Sequence, residues 1–185
     1  MEIALKNEIG MGTVVRLLPT ETSDLDDFKL ALQASFRVAA EADFGGPLDE
    51  PIPSDRDIEQ SIGVPGSVVY WIMAGGERVG GAIVVINEMT RHSSLSFFFI
   101  STDRQSRGLG VRAWQAIETA YPMTRVWETV TPYFEKRNIH FYVNRCGFRI
   151  VEFYNKYNPD PNPHLDCPCD EKGDDEMFRF EKVMK

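Results

Sequence analysis

Asp103-Arg-Gln-Ser-Arg-Gly-Leu-Gly-Val-Arg-Ala-Trp-Gln-Ala-Ile-Glu118 is the stretch on which the reading of this chain turns. The apolar run Leu95 to Ile100 stops at Ser101-Thr102-Asp103, and a basic, glycine-containing turn follows from Arg104 to Gly110. Leu109, Ala113, Ile117 and Ala120 then recur at spacings of four, four and three, which is one face of a helix. Strand, glycine turn and helix together make an anion site. The first N–H groups of a helix have no partner within it, and the helix dipole adds partial positive charge at that end. Gly108 and Gly110 let a phosphate approach the backbone with no side chain in the way. A Walker loop is excluded, because no Gly-Lys-Ser/Thr follows. The Gly-x-Gly-x-x-Gly order of a dinucleotide fold is also absent.

The chain is 185 residues long and 43% hydrophobic, which suits one globular domain spanning 1–185. Its net charge is −8, with a sequence pI near 4.9, which argues against a nucleic-acid surface. No apolar run reaches 18 residues, so no membrane-spanning helix is expected. Three late cysteines and no cationic-then-apolar leader in Met1 to Gly12 point to a cytoplasmic, reducing setting.

Taken in order, Met1 to Gly10 is a lead-in or a small edge strand, and Thr13 to Leu18 reads as a strand ended by Pro19. Ser23 reads as the cap of a helix that buries Leu25, Phe28, Leu32, Phe36 and Ala39. A Gly/Pro loop leads to a short helix, Asp55 to Ile62, capped by Ser54 and closed by Gly63. Ser67 to Ala74 and Val79 to Glu88 form a hairpin around Gly75-Gly76. Ser94 to Ser101 is apolar on both faces near its end and belongs at the centre of a sheet. After the helix that ends near Pro122 come a strand, Arg125 to Thr131, and a helix from Pro132 to about Cys146 stopped by Gly147-Phe148. Two strands close the chain, Arg149 to Tyr157 and Met177 to Met184. The fold class is α+β: a mixed, mostly antiparallel twisted sheet flanked by helices.

Gln105-x-x-Gly108-x-Gly110, after a strand and opening a helix, resembles the pyrophosphate loop of the GNAT (Gcn5-related) N-acetyltransferases. The late segment Phe141-Tyr142 … Gly147-Phe148 resembles the family's aromatic-Tyr … Gly-Phe helix, so the likeness runs along almost the whole chain. It implies direct transfer of an acetyl group from acetyl-CoA, as cosubstrate and without a metal, to a primary amine. Gln105, Arg107, Gly108, Leu109, Gly110 and Val111 would hold the diphosphate. The pantetheine arm would pair like an added strand with Phe99, Ile100 and Ser101.

The resemblance makes Tyr142 the acid that protonates the leaving thiolate, since a phenol with pKa about 10 is protonated at neutral pH. The family's Tyr stands four residues before the Gly, whereas Tyr142 stands five before Gly147. Either an extra residue near the helix end absorbs the difference, or Tyr142 points elsewhere, with Tyr133 a weaker substitute. In the second case the chain is a GNAT-fold acyl-CoA-binding or regulatory module without catalysis. Asn138 corresponds to the Asn that opens the family helix and contacts CoA. Glu128, on the strand where the sheet would splay, is the candidate base, with Glu88 second; pairing with Arg125 or Arg137 is the competing reading of Glu128.

In the family the acceptor is chosen by the first two helices and their loop. Here that region holds Glu41, Asp43, Asp49, Glu50, Asp55 and Asp57, which suit a cationic small-molecule or peptide amine and equally a solvated surface. Residues 158–176 read as a Pro-rich hairpin insert, a plausible site for homodimer contacts. His164, Asp166, Cys167 and Cys169 in it resemble a zinc set, but Cys-x-Cys is tighter than the usual spacing, and no metal is expected.

Overall fold

The structure, a computed structural model, describes residues 3–4, 14–104, 108–161 and 176–185. Eight strands form one sheet: β1 (Ile3–Ala4), β2 (Val15–Pro19), β3 (Ser67–Ala74), β4 (Glu77–Val85), β5 (His92–Ile100), β6 (Val126–Pro132), β7 (Arg149–Tyr154) and β8 (Met177–Val183). Their order is β1-β2-β3-β4-β5-β6-β8-β7, which puts the Phe-rich β5 at the centre as its double-sided apolar pattern requires. Every pairing is antiparallel except β5 with β6.

Helix α1 (Leu25–Phe44) and α2 (Asp55–Gly63) contribute Phe28, Leu32 and Ile58 to one core, against Trp71, Ile83, Phe97 and Phe99. Helix α3 (Leu109–Ala120) contributes Leu109, Trp114 and Ile117 to the other, with Phe98, Ile100 and Trp127. Alternation along β5 thus supplies both cores. Each fully buried Phe or Leu is worth about 1.5–3 kcal/mol of apolar burial. Gly81 makes the first core close, because a Cβ there would lie 2.4 Å from the Phe28 ring and 2.6 Å from that of Phe99.

Local chemistry explains where elements start. Ser54 and Asp57 form a full capping box on α2, each side chain accepting the other residue's backbone N–H. Ser23 does not cap α1. It lies in a 3-10 turn, Thr22–Asp24, and Asp24 stands at the cap position with its carboxylate taken by Arg78. The helix expected from Pro132 starts later: the strand runs to Pro132, α4 is Lys136–His140, and the chain then widens into a π-turn, Phe141–Cys146. No described helix is long and apolar enough to cross a membrane.

Candidate active site

Strands β5 and β6 pair only at His92↔Val126, Ser93↔Trp127 and Ser94↔Glu128. The Thr129 hydroxyl donates to the Leu95 carbonyl at 2.9 Å, and beyond that bond the two strands diverge. From Ser96 to Ile100 no described strand pairs with the β6-facing edge of β5. A groove lies over this opening. Its walls are β5 (Phe98, Phe99, Ile100), the first turn of α3 (Gly108 to Val111), α1 (Phe36) and α4 with its π-turn (Asn138, Phe141).

The α3 end of the groove is built for an anion. Gly108 has φ 68°, in the left-handed region, and among the described residues nothing lies within 4 Å of where its Cβ would stand. The residues of the first α3 turn, whose N–H groups have no partner within the helix, line the groove there. Gly110 is glycine for a different reason: its Cβ would sit 3.1 Å from the Phe141 ring, so the helices meet closely at that point. Arg104, Arg137 and Arg145 also line the groove, Arg104 being paired with Glu77 and Asp103. Arg104 opens the basic turn expected from the sequence; Arg137 and Arg145 were not expected here, although Arg137, Phe141 and Arg145 recur at spacings of four, a helical-face signal.

A second cavity opens behind the first, at the divergence itself. Phe36, Phe98, Glu135 and Asn138 line both, so the two spaces share a wall. Tyr142 forms part of the second cavity and is 5% exposed. The rings of Phe141, Phe148 and Phe180 pack around it at 5.4, 5.5 and 5.6 Å. Burial, with the added charge of Glu135, pushes the Tyr142 phenol above its ordinary value of 10; a hydrogen bond with Thr129 works the other way. The one-residue excess between Tyr142 and Gly147 is taken up by the π-turn. The Gly147 and Phe148 N–H groups both donate to the Tyr142 carbonyl, five and six residues back. Tyr142 therefore keeps its inward position although the spacing is longer.

Of the predicted site residues, Phe99, Ile100, Gly108, Leu109, Gly110, Val111 and Asn138 meet in the groove, and Tyr142 adjoins it. Ser101 does not line either space; its N–H donates to Val79 in β4. Gln105 and Arg107 lie outside the described residues, as do His164, Cys167 and Cys169. Glu128 is not in the opening. It occupies the last position at which β6 pairs with β5, and Arg179 donates to it at 2.8 Å and to Glu181 at 2.6 Å. His92, Glu128 and Glu181 offer atoms within 4.8 Å of one another, but the Arg179 guanidinium already serves the two carboxylates as cation. Glu88 is exposed in the β4–β5 turn, and Tyr133 is half-exposed against Phe178. The carboxylate that does reach the opening is Glu135, 7% exposed, at the cap position of α4.

The Acetyltransferase (GNAT) family model matches residues 33–148. The chain belongs to the GNAT acetyltransferase family. It is 52% identical over 166 residues to the uncharacterized protein YrkN of Bacillus subtilis (strain 168), covering 88% of this chain and 90% of that one. Among solved structures, an acetyltransferase from Thermus thermophilus superposes with TM-score 0.64 at 19% identity, covering 92% of this chain and 97% of that one. A Bacillus subtilis acetyltransferase solved with CoA superposes with TM-score 0.62 at 17% identity, covering 94% and 100%. The matched GNAT segment runs from α1 through the π-turn to Phe148, and so contains both cavities.

Proposed function

We propose that this protein transfers an acetyl group directly from acetyl-CoA to the nitrogen of a primary amine. The observation that carries the reading is the contiguity of the two spaces: an anion-binding helix end, an unpaired strand edge and a buried tyrosine lie along one groove. Fold neighbours support it, one solved with CoA, another with acetyl-CoA, and two described as N-acetyltransferases of spermidine and of a ribosomal-protein alanine.

Acetyl-CoA supplies an activated thioester carbonyl. The α3 end and the arginines around it hold the diphosphate by charge and backbone N–H groups. The β5 edge from Ser96 to Ile100 offers the pantetheine amides the pairing that β6 has given up. Walls on both sides fix the carbonyl against the nitrogen and exclude water. As the N–C bond forms and the C–S bond breaks, the Tyr142 hydroxyl gives its proton to the sulfur, and the nitrogen's proton passes to a base. The raised pKa of Tyr142 keeps that proton in place at neutral pH. The π-turn supports this reading over a non-catalytic module, because it leaves Tyr142 lining the second cavity despite the longer spacing.

Thiol release from acetyl-CoA with a panel of amines tests the reading. Tyr142→Phe should lower kcat about 100-fold with acetyl-CoA affinity unchanged, a usual size for a lost acid. A kcat equal to that of the unaltered protein would remove Tyr142 from the reaction.

A further inference from the structure

No Asp or Glu occurs from Lys136 to Val151, in a chain that holds 28 of them, and Arg137, His140 and Arg145 fall inside that run. These three line the groove on its α4 side, where exposure is graded. Glu135 and Tyr142 are buried at the inner end, Asn138 and Phe141 are half-buried, and Arg137, His140 and Arg145 are exposed at the mouth. The π-turn decides which side chains share that mouth. Residues five apart point well away from one another in an α-helix, whereas the i→i+5 register of a π-turn sets them on successive turns of one side. His140 and Arg145 are five apart across the turn Phe141–Cys146. Asn144, inside the widened turn, donates its amide to His140 Nδ1 at 3.0 Å, which leaves the ring proton on Nε2 as a donor. The three groove arginines are not equivalent. Arg104 is paired with Glu77 and Asp103, and Arg137 is engaged within the protein. Arg145 has no ion-pair partner among the described residues.

We propose that Arg145, with His140 beside it, takes the 3′-phosphate of acetyl-CoA and so makes the protein select the phosphorylated donor. This rests on the acetyl transfer proposed above and adds a second anion subsite to the α3 turn. With the thioester at Tyr142 and the diphosphate on the first turn of α3, the adenosine end of the donor lies at the mouth. The ribose phosphate is the anion left to be met there. A phosphate monoester carries about −1.5 to −2 charge at neutral pH. The guanidinium fork of Arg145 matches two of its oxygens with parallel N–H donors, and His140 Nε2–H offers a third. The chain as a whole, at −8, repels such an anion, so a local cationic site is what brings the donor's outer end to the surface. The extra residue of the π-turn thus serves binding as well as the placement of Tyr142. The subsite stands away from the thioester, so it acts on donor affinity and not on turnover at saturation.

The test is calorimetric and needs no acceptor: the full chain is titrated with acetyl-CoA and with 3′-dephospho-acetyl-CoA. Acetyl-CoA should bind at least tenfold more tightly. Equal affinity for the two donors overturns the inference while leaving the diphosphate turn intact, whereas failure to bind either donor would instead sink the proposed activity. Arg145→Gln should lower acetyl-CoA affinity about tenfold and leave the affinity for the dephospho donor within about twofold, and Arg145→Lys should recover part of the loss. His140→Ala should show the same selective pattern at about threefold. The dephospho affinity reports that each variant is folded. A loss in Arg145→Gln that is equal for both donors would place Arg145 on the diphosphate, and overturns the assignment.

Discussion

Gly108 and Gly110 stand in one turn and are glycine for separable reasons, which makes the donor site open to a clean test. At Gly108 the backbone is left-handed, and a Cβ there meets no atom of the described residues and faces the groove that Gly108 lines. Gly108→Leu should therefore cost the fold only the left-handed conformation, about 1–2 kcal/mol. That is a fall of roughly 2–8 °C in Tm for a chain of this size. Acetyl-CoA affinity, measured by calorimetry, should drop at least tenfold. A folded variant with unchanged affinity would show that the diphosphate does not lie on this turn. Gly108 could be read from its neighbours in sequence. Glu135 could not: it sits between Phe134 and Lys136 at what looks like an ordinary helix start, and its burial depends on α1, β5 and β6 converging above it. Glu128 was the converse case. Its place in a strand was legible, but Arg179, 51 residues later, was not legible as its partner.

At the scale of elements, strands were legible where alternation and turn residues agreed, as in β3 and the Gly75-Gly76 hairpin, because those signals are local. The divergence of β5 from β6 has no local signal; it is set by where the parallel register ends. The π-turn lies between these cases, since the sequence carries it only as a spacing of five where the family has four. That makes a specific expectation possible. Asn144 is exposed, and its side chain contacts only His140 among the described bonds. Deleting it shortens the π-turn to α-helical spacing while leaving Tyr142 and Phe148 anchored in the core. The Asn144 deletion should keep Tm within about 3 °C and acetyl transfer within about fivefold. Deleting the exposed Gln115 from the regular helix α3 turns Ile117 out of the core by about 100° of helix, from 3.6 residues per turn. That variant should not fold, because the loss exceeds the 5–15 kcal/mol that holds a domain together. Far-UV and near-UV circular dichroism of the two deletions, side by side, decides whether the extra residue is an accommodated insertion; an unfolded Asn144 deletion would show that it is structural.

The whole molecule carries its acid chemistry in a core that resists ionisation, and this fixes how it responds to alkali. Burial raises the phenols of Tyr121 and Tyr142 above 10 and pushes the Cys146 thiol from 9.0 up to about 12. Each keeps its proton in the folded state at pH values where the unfolded chain has lost it. The folded state then binds more protons, so stability falls as pH rises, by about 1.4 kcal/mol per pH unit for each such group. Below pH 8 all three are protonated in both states and contribute no slope. Cys146 enters first, above pH 9, and the two tyrosines follow above pH 10. The urea midpoint should thus be flat from pH 7 to 8.5 as far as these groups go, decline with a slope near one proton by pH 9.5, and steepen toward three protons by pH 11. Repulsion from the net charge of −8 adds a shallower decline. Cys146→Ala separates the two, because it leaves the net charge at neutral pH unchanged while removing the first group to titrate. It should flatten the interval between pH 9 and 10 and leave the steep region above pH 10.5 in place; an unchanged slope between pH 9 and 10 would mean that the Cys146 thiol ionises as readily in the fold as out of it.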